Sequence, residues 1–120
     1  MFSNRYKLDI IFCLSFLLSS CSIFTEDLTE AKRLTAEKKY QEAIALLDNF
    51  KSGNSKKYNA QVRVEYGVEI LKDLDTTRSE RYQLAKTLFE EAVRLDPKNT
   101  KARTFYLTLL KTTNQEDTES

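Results

Sequence analysis

The cysteine at position 21 is the side chain in this sequence best suited to covalent chemistry. It follows Leu18 and two serines, and the stretch from Ile10 to Leu18 before them is largely apolar. A thiolate is a strong nucleophile that can form a thioether, and small residues let the backbone before it lie extended in a peptidase cleft. The thiol of Cys21 is therefore a candidate for covalent modification.

The first twenty residues have the order of a secretory signal. Arg5 and Lys7 form a basic start, an apolar stretch follows, and small residues come last. A membrane-spanning helix needs about twenty apolar residues, so this stretch is too short to act as one. An alternative is a buried N-terminal helix in which Cys13 and Cys21 are inert core thiols. We predict that residues 1–20 are an export signal.

Residues Leu18 to Cys21 resemble the lipobox of bacterial lipoproteins, which has an aliphatic residue, two small residues and a cysteine. The resemblance implies that Cys21 becomes the lipidated first residue, carrying acyl chains such as palmitate, with residues 21–25 as a short linker. Ser22 is not the aspartate associated with retention in the inner membrane. The resemblance thus implies a lipid-anchored protein of the cell envelope, at the periplasmic face of the outer membrane, with no cofactor besides the lipid.

The remaining residue types argue against catalysis. The chain has no histidine, the commonest general base and metal ligand, and no glycine-rich phosphate loop. Neighbouring carboxylates such as Glu90 and Glu91 point apart on a helix, and Glu116 with Asp117 falls in a polar tail. We therefore expect neither an enzyme nor a metal site.

Net charge and chain length further restrict the kinds of protein that this sequence can encode. Because Arg5, Lys7 and Asp9 are the charged residues of the first twenty, 17 of the 19 basic and 17 of the 18 acidic residues remain from Cys21 onward. Nucleic-acid binding depends on clustered positive charge, so a neutral body argues against it. A chain of 120 residues with two glycines and one proline predicts one mainly helical domain.

Two stretches, residues 40–50 and 82–92, align without gaps and share tyrosine, glutamine, alanine and leucine at the same offsets. Their apolar residues step by three and four, so each stretch predicts an amphipathic helix. The residues on these two faces are Tyr40, Ala43, Ile44, Leu47 and Phe50, and Leu84, Ala85, Leu88, Phe89 and Ala92.

Both stretches resemble the second helix of a tetratricopeptide repeat. The later copy matches all five characteristic positions, with Tyr82, Ala85, Phe89, Ala92 and Pro97. The earlier copy matches at Tyr40, Ala43 and Leu47 but has Phe50 for the small residue and Ser55 for the proline. The resemblance implies an all-α fold of antiparallel helix pairs over residues 26–113, stacked as about two repeats and a capping helix.

The first helix of each pair is expected upstream. Residues 27–38 form one, with Thr25 as its N-cap. Residues 59–74 are ambiguous, because their valines alternate with polar residues as in a strand, yet Ala60, Val64 and Gly67 form a helical stripe. A lone strand among helices would have no ladder partner. We predict a central helix that is apolar on most sides.

The later half departs from the family in its spacing. The two tyrosines that open the aligned stretches lie 42 residues apart, against a usual repeat of about 34. The extra length falls mostly in residues 74–80, where Thr77 and Glu80 have the spacing of a capping box. A final helix over about residues 101–112 would cap the stack, and residues 114–120 read as a disordered polar tail.

The family resemblance implies a concave groove lined by the first helix of each pair. Carried over by position, its residues would be Leu28, Lys32, Val64, Val68, Thr104 and Thr108. Tyr58 and Tyr66 are further contact candidates, because tyrosine is enriched in interfaces.

These features predict a membrane-anchored adaptor or scaffold of the cell envelope that binds a peptide or another envelope protein. Two other functions remain open at this point: a cytoplasmic repeat-type chaperone whose N-terminus only imitates a signal, and an accessory subunit of an envelope hydrolase. Pairing of two copies through the apolar third helix also stays open.

Overall fold

Residues 27–119 are described by the computed structural model, with side chains to residue 115, and this part of the chain contains only helices and their connections. The predicted all-α fold class is confirmed there. The helices are α1 (Thr29–Ala36), α2 (Tyr40–Leu47), α3 (Gly53–Lys72), α4 (Arg78–Leu95) and α5 (Thr100–Glu119).

Polar side chains satisfy backbone N–H groups where the three long helices begin. The Ser52 hydroxyl accepts from a backbone N–H three residues on at 3.2 Å, and the Asn99 side chain does the same at 3.1 Å. Thr77 Oγ1 accepts the backbone N–H of Glu80 at 3.3 Å. These are the usual N-cap contacts, and the predicted capping spacing at Thr77 and Glu80 is observed as that contact.

The first helical pair is joined by a tight turn. Lys38 takes a positive φ of 61°, and the N–H of Lys39 donates to the Leu34 carbonyl at 2.8 Å, so the turn closes α1 as left-handed residues commonly do. Asp27 accepts the N–H of Thr29 at 2.9 Å. The helix predicted over residues 27–38 is thus shorter, and the predicted cap Thr25 lies outside the described residues.

Helix α3 lies in the middle of the molecule. Its Val62 is fully buried in a cluster with α1 and α2, whose members are Ala31, Leu34, Tyr40, Ala43 and Leu47. Ala60 and Val64 enter a second cluster with α4 and α5, made with Ala85, Phe89, Ala92, Ala102 and Leu109. The ambiguous stretch is therefore a central helix, as predicted, and it begins six residues earlier, at Gly53.

Helices α3 and α4 pack antiparallel at very short distance. Arg63 meets Glu91, and further along α3 the backbone of Gly67 faces the ring of Phe89, an earlier residue of α4. A Cβ built on Gly67 would lie 2.6 Å from a ring carbon of Phe89. Only glycine permits this approach, because real Cβ atoms do not come so near another carbon.

Two predicted core residues are more exposed than expected. Leu84 was assigned to the apolar face of its helix, but 54% of it is exposed. Phe105 is 37% exposed, although its ring stacks on buried Phe89 with centroids 5.2 Å apart. Helix α5 also runs to Glu119, beyond the predicted end near residue 112 and through most of the expected tail.

Candidate functional site

An open groove of about 810 Å³ runs between α3 and the first half of α5. Helix α3 supplies one wall, α5 and the turn before it supply the other, and Tyr40 of α2 closes one end. The lining residues are Tyr40, Lys57, Gln61, Val64, Glu65, Val68, Glu69, Asp96, Lys98, Asn99, Thr100, Lys101 and Phe105.

The α3 wall follows from helical spacing. Four residues of α3 follow one another at intervals of four, three and four positions, so they lie on one face of the helix: Lys57, Gln61, Val64 and Val68. Val64 is buried and Val68 is half-buried. The valines form the apolar floor of the groove on this side, and the longer polar side chains stand above it.

The opposite wall begins in the turn between α4 and α5. The Asp96 carboxylate accepts the backbone N–H of Lys98 at 3.3 Å, and Asn99 caps α5, so the turn holds Lys98 and Lys101 at the groove's rim. Phe105, one turn further along α5, adds its exposed ring to the floor.

Side chains of opposite charge line the two ends of the groove. Lys57 near the start of α3 shares one end with Lys98 and Lys101, and within the part of the chain that the structure describes none of the three makes an ion pair. Glu65 and Glu69 lie toward the other end, further along α3. The groove is therefore polarised along its length.

Tyr40 forms an aromatic wall at the acidic end. Its ring stacks on Tyr66 with centroids 5.4 Å apart and planes 19° from parallel, and Gln41 Nε2 donates to the Tyr66 hydroxyl at 2.9 Å. Burial of the ring, helped by the negative charges of Glu69 and Glu65, raises the pKa of Tyr40. Most of Tyr40 is buried in the cluster of α1, α2 and α3, so it closes this end of the groove as a fixed wall.

A polar cluster around Arg63 of α3 holds this helix against α4 and the end of α2. Arg63 Nε donates to Glu91 of α4 at 2.9 Å, and its Nη1 donates to Asp48, just after α2, at 3.1 Å. Asn59 joins them through hydrogen bonds with Arg63 and with Asp48 at 2.9 Å. Three helical segments thus meet at one buried guanidinium.

The electrostatics of this cluster favour the ionised carboxylate. Partial burial raises the pKa of Asp48, but hydrogen bonds from Arg63 and Asn59 and the positive charge of Arg63 outweigh that effect. The pKa of Asp48 is accordingly held below its ordinary value. The cluster therefore depends on Asp48 being charged.

The structure places the predicted site residues in different parts of the molecule. Val64 and Val68 line the groove. Leu28, Tyr58 and Tyr66 pack around the cluster of α1, α2 and α3.

Lys32 lies over the Tyr58 ring, with its Nζ 6.0 Å from the ring centroid. Thr104 and Thr108 are exposed on α5 outside the groove lining, and the hydroxyl of Thr108 donates to the carbonyl of Thr104 at 2.8 Å. Cys21, the predicted lipidation site, lies outside the described residues.

Other residues that line the groove were not predicted from the sequence. Lys57 and Gln61 share the face of Val64 and Val68, so extending that face backwards by two turns would have found them. Phe105 was assigned to the core by its spacing, and no local pattern indicates that it is also exposed.

None of the helices within residues 27–119 is both long and apolar enough to cross a membrane. The same region holds no group of three or more side chains that could bind a metal ion.

Comparison with known proteins identifies no relative. No protein-family model matches the chain, and searches of curated proteins and of solved structures also gave no match. Its function has to be inferred from its own residues and their arrangement.

Proposed function

We propose that this chain is a lipid-anchored adaptor of the cell envelope that holds a partner protein by binding one of its segments in the groove between α3 and α5. The lipobox-like residues 18–21 support the anchor, and the groove supports the binding role. Outer-membrane placement, at the periplasmic face, follows from Ser22 in the same resemblance.

The observation that carries the binding role is the open floor of the groove. Val68 is half-buried and Phe105 is 37% exposed, so apolar surface faces an open space of about 810 Å³. Sites for peptides and small ligands are usually concave, with an apolar lining and a few oriented polar groups. The stacked tetratricopeptide-like pairs would present this floor as a concave face.

The anchor is tested by the mass of the N-terminal peptide recovered from membranes of the native host. The expected peptide begins at Cys21 and carries acyl mass, while a Cys21→Ala variant stays unprocessed. An intact Met1 without lipid would remove the anchor and favour the cytoplasmic alternative.

The binding role is tested by pull-down from detergent extract with a variant that fills the groove. Gln61 is exposed on the groove wall, so Gln61→Trp should remove partners that the native chain retains. Gln83→Trp, on an exposed position of α4 outside the groove, is the matched control and should retain them. If the native chain, Gln61→Trp and Gln83→Trp retained the same partners equally, the groove would not be the binding site.

A further inference from the structure

We propose that the segment bound in this groove is itself charge-polarised, with acidic residues at one end, basic residues at the other and apolar residues between. Its acidic end lies at Lys57, Lys98 and Lys101, and its basic end lies at Glu65 and Glu69. This inference rests on the proposed binding function and adds the chemistry and the orientation of the ligand.

Three ammonium groups make the first end suitable for an acidic residue. Within residues 27–115 none of these lysines has an ion-pair partner. Asp96 is the opposing charge there, but its carboxylate accepts a backbone N–H within its own turn. Two unbalanced positive charges remain to attract an incoming carboxylate.

The second end suits a basic side chain. Glu69 makes only long ion pairs, with Lys38 at 3.9 Å and Lys72 at 3.8 Å, and such exposed pairs contribute little. Glu65 is exposed beside it.

The length of the groove sets the spacing of the charges on the ligand. Lys57 and Glu69 are twelve positions apart on α3, about 18 Å at ~1.5 Å per residue. A helical ligand would span this with charges about twelve residues apart, and an extended one with charges about five or six residues apart. Val68 and Phe105 would contact the apolar residues between them.

The test is a selection of displayed random peptides of about 16 residues, long enough for the ~18 Å span, on the full chain held in detergent micelles. Peptides selected on the native protein should carry acidic and basic residues at one of these two spacings. On a Lys98→Glu/Lys101→Glu double variant, the acidic end should be replaced by basic residues.

Affinity measurements complete the test. A peptide selected on the native chain should bind the double variant about tenfold more weakly, because two attractive charges facing its acidic end become repulsive. A Lys56→Glu/Lys111→Glu control makes the same charge change at exposed lysines outside the groove and should leave affinity within about twofold. Circular dichroism melting of each variant verifies that it is folded.

The outcomes separate the two proposals. Peptides that bind the native chain, are lost on Gln61→Trp and show no charge order would overturn this inference while leaving the groove as a binding site. If no selected peptide is sensitive to Gln61→Trp, both proposals fail. Self-association in sedimentation that the double variant abolishes would assign the groove to a second copy of this chain and overturn the inference.

Discussion

Helix α3 meets its two later neighbours in opposite ways. Against α4 it is closed, because Gly67 has no side chain and the Phe89 ring fills the space. Against α5 it is open along one side, where the exposed side chains of Lys57, Gln61 and Glu65 line the groove. A small residue brings helices together, and long polar side chains that need water hold them apart.

The two contacts share one side chain. Phe89 is fully buried, reaches Gly67 on one side and stacks on Phe105 on the other. The closed interface therefore supports the floor of the open one, and substitutions there show which of the two is needed for stability.

The largest effect is expected from Phe89→Ala. It removes a fully buried ring, so the free energy of unfolding should fall by about 3 to 5 kcal/mol. Phe105→Ala is the matched change on the open side and should cost only about 1 to 2 kcal/mol, because its ring is already partly exposed. Urea unfolding measures both, and equal losses would contradict the distinction between the two interfaces.

Removing the buried guanidinium is the next largest change. Arg63→Ala leaves Asp48, Asn59 and Glu91 without their shared donor and should cost about 2 kcal/mol, less than a fully buried pair because both carboxylates reach water. The control Arg94→Ala breaks only the exposed pair with Glu90 at 3.4 Å and should cost at most about 0.5 kcal/mol. Similar unfolding midpoints for the two variants would show that the cluster does not tie the helices together.

Gly67→Ala tests the close approach directly. The new methyl group overlaps Phe89, at a cost of about 1 to 3 kcal/mol, and the gain of about 1 kcal/mol in helix propensity offsets part of it. We expect a net destabilisation of about 1 kcal/mol. Gly53→Ala, where a Cβ meets nothing within 4 Å, should be neutral or slightly stabilising, and a stabilised Gly67→Ala would mean that the interface is looser than described.

The smallest expected effect is the loss of stability at low pH that comes from Asp48. The pKa of Asp48 is lowered in the fold, so its contribution to stability is present above the unfolded pKa of about 3.9 and is lost as pH falls through the lower folded value. The gap in urea midpoint between the native chain and Asp48→Asn should be constant above about pH 5 and narrow below about pH 4. A gap that stays constant down to about pH 3 would show that Asp48 is not held ionised by Arg63.

Much of the helical framework could be predicted, because its signals are local. The stripe through Ala85, Phe89 and Ala92 and the cap at Thr77 lie within a few residues of one another, so the sequence displays them directly. The start of α3 was missed, since residues 53–58 are mostly polar and hide the helix that begins at the Ser52 cap.

The groove was harder to predict. Its floor at Val64 and Val68 came from the family resemblance, whereas the resemblance placed the α5 contribution at Thr104 and Thr108 instead of Lys101 and Phe105. One residue corresponds to about 100° around a helix, so the step from Phe105 to Thr104 is enough to move a side chain from the groove lining to solvent.

The sequence by itself determined the helical periods, the cap at Thr77 and the near-balance of charge, because these depend on neighbouring residues and on composition. The tertiary structure decided that Arg63 joins Asp48 to Glu91, that half of Leu84 is exposed and that side chains of opposite charge line the two ends of the groove. These features depend on how far apart and at what angle packed helices sit, and that is set by contacts between residues distant in the chain, such as Gly67 with Phe89.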